Sequence, residues 1–175
     1  MVSYGKKALY PGSFDPFTLG HLDIISRASA IFDEVRIGVA TNNKKTNILS
    51  LEERIDLAKK STEHLKNIDV APIDGLVIDY AKQNDYKVLL RGIRAANDFE
   101  QELEMSQINR ALSLKRHDED LIETIFLMTS PEYSFIRASR VWELLNLGGD
   151  ITSLLPKAVS SYLEDKNIGY LQETR

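Results

Sequence analysis

Short apolar runs alternate along this chain with stretches whose apolar residues recur every three or four positions, and no other feature restricts the fold as much. The strand-like runs are Ala8–Tyr10, Glu34–Ala40, Ile68–Ala71, Val88–Leu90 and Thr124–Met128. Pro11-Gly12 stops the first, and Pro72 closes the third. Helical spacing fills the intervals. Leu22, Ile25, Ala28 and Phe32 follow Gly20, and Leu51, Ile55, Ala58 and Leu65 share a second helical face. Asp74-Gly75-Leu76-Val77 leads into a short helix ending around Asn84, and a long helix from Asp98 to Leu112 has Phe99, Leu103, Ile108 and Leu112 inward. Ser50 and Glu53 have the spacing of a capping box for the second helix. After the last strand, Ala138 to Leu147 reads as a helix stopped by Gly148-Gly149, and another starts at Pro156. Strand and helix in turn predict an α/β fold: a doubly wound, Rossmann-like five-stranded parallel sheet, with 1–175 as one domain. No repeat or linker divides it.

Composition removes several chemistries. There is no cysteine, which excludes disulfides, thiol catalysis and thiolate metal sites. With 26 acidic and 22 basic side chains the net charge is −4, so no general attraction to nucleic acid or anionic membrane is expected. No signal core follows Met1–Lys7, and no apolar run reaches about 18 residues. A cytoplasmic protein is the expectation. The three histidines have no metal-ligand spacing, and His64 and His117 read as exposed.

Between the first strand and the first helix lies Tyr10-Pro11-Gly12-Ser13-Phe14-Asp15-Pro16-Phe17-Thr18-Leu19-Gly20-His21. Prolines and glycines make this a compact crossing that exposes backbone N–H groups and a histidine. A helix start is a natural seat for an anion, because its first N–H groups lack partners and carry partial positive charge. Neither G-x-x-x-x-G-K-[ST] nor G-x-G-x-x-G occurs, so the standard phosphate loops are not supported. Ligands of doubly wound sheets bind at the carboxyl ends of the strands. The groups expected on that rim are Ser13 to His21, Lys44 and Lys45, Val77, Arg91 to Arg94, and Tyr133 to Ser139. Arg91 and Arg94 have a plainer alternative, pairing with Asp98 or Glu102. Asp15 reads as a brace for its own turn, and Glu100, Glu102 and Glu104 as mostly helix surface.

Tyr10 to His21 resembles the first signature of nucleotidyltransferases with a (His/Thr)-x-Gly-His motif, and most closely the bacterial-type phosphopantetheine adenylyltransferases. The likeness extends to Leu51-Glu52-Glu53-Arg54, Leu90-Arg91-Gly92-Ile93-Arg94, Asp98-Phe99-Glu100 and Ser134-Phe135-Ile136. It implies the nucleotidyltransferase fold and reversible adenylyl transfer from ATP to 4′-phosphopantetheine, giving dephospho-CoA and pyrophosphate. The nucleophile would be a phosphate monoester attacking directly, so alignment and charge neutralisation matter more than a strong base. The resemblance makes His21 the transition-state stabiliser and assigns Ser13, Lys45, Val77 and Arg91 to the phosphopantetheine, Lys44 being the alternative to Lys45. It assigns Ser13, Phe14, His21, Gly92, Ile93, Arg94 and Glu102 to ATP, with Tyr133, Ser134, Phe135, Ile136, Arg137, Ala138 and Ser139. It also implies Mg²⁺ carried mainly on ATP phosphates, a homohexamer with exposed apolar helix positions as contacts, and inhibition by CoA. Two departures stand out. Ile136-Arg137-Ala138-Ser139 replaces a serine-rich run, and Trp142 stands where a basic residue is usual, with Arg137 or Arg140 as possible substitutes. Related enzymes acting on nicotinamide mononucleotide or a cytidylyl acceptor, and a nucleotide-binding regulator without activity, are the alternatives.

Overall fold

The structure, a computed structural model, describes residues 6–41, 47–114 and 121–166. Five strands, β1 (Lys7–Gly12), β2 (Glu34–Ala40), β3 (Ile68–Ile73), β4 (Val88–Ile93) and β5 (Glu123–Met128), form one parallel sheet ordered β3-β2-β1-β4-β5. The helices are α1 (Leu19–Ser29), α2 (Leu51–Thr62), α3 (Val77–Gln83), α4 (Ala96–Leu114), α5 (Ala138–Asn146) and α6 (Lys157–Asp165). The chain winds outward from β1 to β3, then crosses back to β4. The topological switch therefore lies between β1 and β4.

Alternation along the strands divides the core between the two faces. Ala8, Tyr10, Val35, Ile37, Val39 and Leu90 pack with residues of α1, α2, α5 and α6. Leu9, Ile73 and Leu89 pack on the other face with Ile78 and Ala81 of α3 and with Tyr86. Ser50 caps α2 as expected: its backbone N–H donates to Glu53 Oε2 (2.8 Å), and the Glu53 N–H donates to Ser50 Oγ (3.2 Å). The same Glu53 accepts from Tyr162 Oη, which ties α6 onto α2.

Three expectations are corrected. The prolines do not end their strands: β1 continues through Pro11 to Gly12 and β3 through Pro72 to Ile73. β3 is an edge strand, where the missing N–H of Pro72 has no partner to disappoint. Likewise β4 runs on through Arg91 and Gly92 to Ile93, so the first arginine lies within the strand. Finally, Phe99, Leu103 and Ile108 do not point into the core; they are exposed on α4, with Met105 beside them. Phe99 and Leu103 lie one turn apart, but Ile108 is half a turn round the helix from Phe99, and spacing alone does not say whether the same chain covers such residues. Ser113 of α4 is buried, and its Oγ accepts from the Ile122 N–H (3.2 Å). The charged segment 115–120 lies outside the described residues.

Gly38 allows β2 and β3 to pack closely. A Cβ added there would lie 2.1 Å from Cδ1 of Ile73 and 3.1 Å from Cδ1 of Leu9, both buried. Gly38→Ala should destabilise the fold by about 1–3 kcal/mol through overpacking. Urea unfolding should also show partial recovery when Ile73→Val removes the colliding methyl group.

Candidate active site at the switch point of the sheet

β1 and β4 are paired over only two positions, Ala8 with Val88 and Leu9 with Leu89. Beyond them the strands part, whereas β4 and β5 stay in register through Ile93 and Met128. Pro11 lies at the parting. Its carbonyl faces β4, where Arg91 Nη1 reaches it at 2.9 Å. Within a strand the N–H and C=O of one residue point to the same side, so the donor that proline lacks is the one that would have faced β4. Pro11 thus interrupts pairing on one side only; on the other it stays opposite Gly38 of β2. The gap opens into a cleft of about 480 Å³ lined by both strand ends.

The first loop is tightly held. Phe14, 2% exposed, has φ +49°, a left-handed conformation costly for an aromatic residue. Asp15 braces the loop before α2 and not its own turn, accepting from the N–H groups of Ile48 (2.8 Å) and Leu49 (3.1 Å). Trp142 Nε1 donates to the Asp15 carbonyl at 2.9 Å. The residue standing where a basic side chain was expected is therefore a buried brace.

Thr18 and His21 form a capping box at the start of α1, with histidine in the place usually held by glutamate. The Thr18 N–H donates to His21 Nδ1 at 3.1 Å. An Nδ1 that accepts carries no proton, so the neutral ring bears it on Nε2. The Phe14 ring packs edge-to-face with the imidazole and the Phe17 ring lies tilted against it, with centroids 5.1 and 5.6 Å away. Burial, and secondarily the charge of Arg94, lower the His21 pKa to about 4. His21 lines the cleft, and its neutral ring carries the donor Nε2–H. Gly20 also lines the cleft, and a Cβ there would meet nothing closer than 3.7 Å, so packing alone does not demand glycine.

Both arginines at the end of β4 are paired, as the plainer reading proposed. Arg91 holds Glu102 through two bonds, Nε to Oε2 at 2.5 Å and Nη2 to Oε1 at 2.6 Å. Arg94 Nε donates to Asp98 Oδ2 at 2.8 Å, and its Nη1 donates to the Ile136 carbonyl at 3.3 Å. Arg137 Nη2 lies 3.7 Å from the other Asp98 oxygen. Burial would raise the Asp98 pKa, but the hydrogen bonds and charge of Arg94, helped by Arg137, hold it below the usual range. Pairing does not remove the arginines from the site: Arg91, Arg94 and Glu102 all line the cleft.

Of the other expected residues, Ser13, Phe14, Val77, Gly92, Ile136 and Ala138 line the same cleft. Ile93 does not; its side chain is buried and its carbonyl accepts from the Thr129 N–H. Tyr133, Ser134, Phe135, Arg137 and Ser139 also lie off the lining, and Phe135 is 67% exposed. Arg140 is at the surface, paired with Glu143. Lys44 and Lys45 lie outside the described residues, as does His117, while His64 is exposed. Sequence reasoning missed Tyr10 and Thr129 in the lining. Burial pushes the Tyr10 pKa up to about 12 against the opposing charges of Arg91 and Arg94, so the hydroxyl stays protonated. Thr129 follows the end of β5, and the rule that ligands meet strand ends was the available signal.

The folded state disfavours the His21 imidazolium, whose ordinary pKa is 6.5. Its contribution to stability is present above that pH and is lost as pH falls towards about 4. Titration of the ring resonances by NMR should place His21 near 4 in the free protein. A value at or above 6.5 would contradict the assigned cap.

Residues 9–144 match the family described as Cytidylyltransferase-like. The phosphopantetheine adenylyltransferase of Clostridium botulinum (strain Eklund 17B / Type B) is 47% identical over 156 residues, covering 89% of this chain and 94% of that protein. That of Trichodesmium erythraeum (strain IMS101) is 46% identical over 153 residues, covering 87% of this chain and 88% of the relative. Among solved structures, Plasmodium falciparum nicotinic acid mononucleotide adenylyltransferase complexed with NaAD superposes with a TM-score of 0.73 at 16% identity, covering 95% of this chain and 98% of that one. This last likeness concerns the fold. No helix among the described residues is long and apolar enough to cross a membrane. With near-complete coverage at this identity, the chain belongs to the cytidylyltransferase-like family and, within it, to the phosphopantetheine adenylyltransferases.

Proposed function

We propose that this protein transfers the adenylyl group of ATP to 4′-phosphopantetheine, releasing pyrophosphate and forming dephospho-CoA, a reversible step of coenzyme A biosynthesis. The observation that carries this reading is the convergence of the Ser13–Phe14 turn, the His21 donor and the Arg91 and Arg94 guanidinium groups on one cleft. An oxygen of the incoming phosphate monoester attacks the α-phosphorus of ATP. A new P–O bond forms there as the bond to the β-phosphate oxygen breaks, without a covalent enzyme intermediate. Because the attacking group is already anionic, the site has only to align two anions and neutralise their charge. His21 donates from Nε2 to an α-phosphate oxygen as charge grows on it, and its cap bond spares any reorientation. Arg91 binds the monoester, helped by a lysine of the loop after β2, while Gly92 to Arg94 face the ATP phosphates. Glu102 holds Arg91 extended, and Val77 offers an apolar wall to the pantetheine arm.

Among the described residues no three His, Asp or Glu side chains converge to hold a metal ion. Glu102, which lines the cleft, and Asp98, which holds the lining Arg94, are both engaged by arginines. These donors suit a Mg²⁺ that arrives on ATP, keeps water ligands and supplies charge neutralisation. The exposed apolar residues of α4 suit a homohexamer, and CoA, which shares the pantetheine arm, would inhibit by competing for the cleft. A cytoplasmic location follows from the same biosynthetic reading.

Pyrophosphate release from ATP should depend on added 4′-phosphopantetheine. His21→Ala should bind ATP nearly as well but lose about 10²–10³ in turnover, as for loss of one charge-stabilising donor. Equal activity in the mutant would end the role given to His21. The variant also loses a cap bond, costing about 1 kcal/mol of stability, so its melting point should be read alongside. Of the two candidate substitutes for the missing basic residue, Arg137→Ala should weaken ATP binding and Arg140→Ala should leave it unchanged, by calorimetry.

A further inference from the structure

Arg54, on the second turn of α2, is only 2% exposed and lies behind the cleft. Its Nη1 donates to two carbonyls, Ser13 O at 2.7 Å and Ala40 O at 3.0 Å. Its Nε has no hydrogen-bond partner, and among the described residues no carboxylate lies within ion-pair distance of the guanidinium. Asp15 acts on it only through space, its oxygens being taken by Ile48 and Leu49. A buried cation without a close counter-charge is costly in a folded chain, so a plain packing role accounts for it badly. Its two carbonyls belong to Ser13, just after β1, and Ala40, the last residue of β2, and both residues line the cleft.

In a trans peptide the C=O and the following N–H point in opposite directions. Drawing the Ser13 carbonyl back to Arg54 therefore turns the Phe14 N–H to the other side. Among the described residues that N–H has no hydrogen-bond partner. Phe14 is also the residue with φ +49°, a conformation that persists only where the surroundings impose it. We propose that Arg54 is a positioning residue: its grip on the Ser13 carbonyl locks the Ser13–Phe14 peptide so that the Phe14 N–H is offered to a phosphate oxygen in the cleft. The same guanidinium holds the Ala40 carbonyl, fixing where the loop after β2 leaves the sheet. This assignment rests on the cleft being a phosphate site and deepens the proposed function.

The test uses inorganic pyrophosphate as probe, the full chain with Arg54→Gln and Arg54→Lys, and the Phe14 amide signal in ¹⁵N-labelled protein. In the wild type, pyrophosphate should shift the Phe14 amide resonance. Arg54→Gln should bind pyrophosphate about 100-fold more weakly, the effect of one lost donor to a charged oxygen, and its Phe14 signal should no longer respond. Arg54→Lys, which keeps the charge and one hydrogen-bonding head, should recover part of the affinity. If Arg54→Gln does not fold, Arg54→Lys carries the comparison at an intermediate loss of about 10-fold. A variant that melts earlier yet binds pyrophosphate within twofold of the wild type would make the role purely structural and overturn the proposal. A wild-type Phe14 signal indifferent to pyrophosphate would overturn it as well. A wild type that binds pyrophosphate with the expected Phe14 shift but does not couple ATP to 4′-phosphopantetheine would overturn the reaction while supporting the Arg54 arrangement.

Discussion

The parting of β1 from β4 after two paired positions is the constraint on which the rest of this molecule depends. A parallel sheet that stayed zipped would bury its strand ends against each other and leave no room at the switch point. Here Pro11 withholds the donor that would extend the pairing, and the Arg91 side chain takes the stranded carbonyl in its place. One guanidinium thus substitutes for a ladder bond, anchors Glu102 and borders the cleft. Structural and chemical demands meet in the same group, which explains how a pair that looks like a plain salt bridge can also belong to a binding site.

The walls of the gap are stiffened from behind. Arg54 and Trp142 come from two other parts of the chain and bond to the backbone of the first loop, while Asp15 of that loop bonds to the backbone before α2. Side chains that hold backbone in place cost rotamer entropy once, at folding, and not again when substrate arrives. A site that must align two multiply charged phosphate groups gains from this, because misplaced donors in a low-dielectric cleft would repel as readily as attract.

Much of the fold was legible in the sequence because parallel strands buried on both faces read as apolar runs, and capping boxes announce helix starts. The strand ends were misread where proline was taken as a full stop. Its effect depends on which side of the strand the missing donor would have faced, and only the three-dimensional arrangement reveals that side. The apolar residues of α4 were misread for a related reason: Phe99 and Leu103 are one turn apart but Ile108 lies half a turn round the helix from Phe99, and nothing local tells whether their own chain covers any of them. At the site, residues close to the Tyr10–His21 motif were readable, since turn chemistry and helix starts are local. Arg54 and Trp142 were not given their roles, because each acts on a loop some 40 or more residues away. The far rim shows the same limit: Ile136 and Ala138 line the cleft, while Tyr133, Phe135 and Ser139 beside them do not.

The bond from the Thr18 N–H to His21 Nδ1 has a consequence for how this sequence can change. The group proposed to meet the growing negative charge is also the lock on the first turn of α1. Its tautomer, its rotamer and the order of that turn are one property, not three. Drift at position 21 cannot trade reactivity against robustness gradually, since any replacement must both accept the Thr18 proton and present a donor on its far side. A five-membered ring with two nitrogens on opposite flanks meets both requirements in one rigid group; an ionised carboxylate can only accept, and amide and hydroxyl side chains, which do both, lack that rigid separation of acceptor and donor.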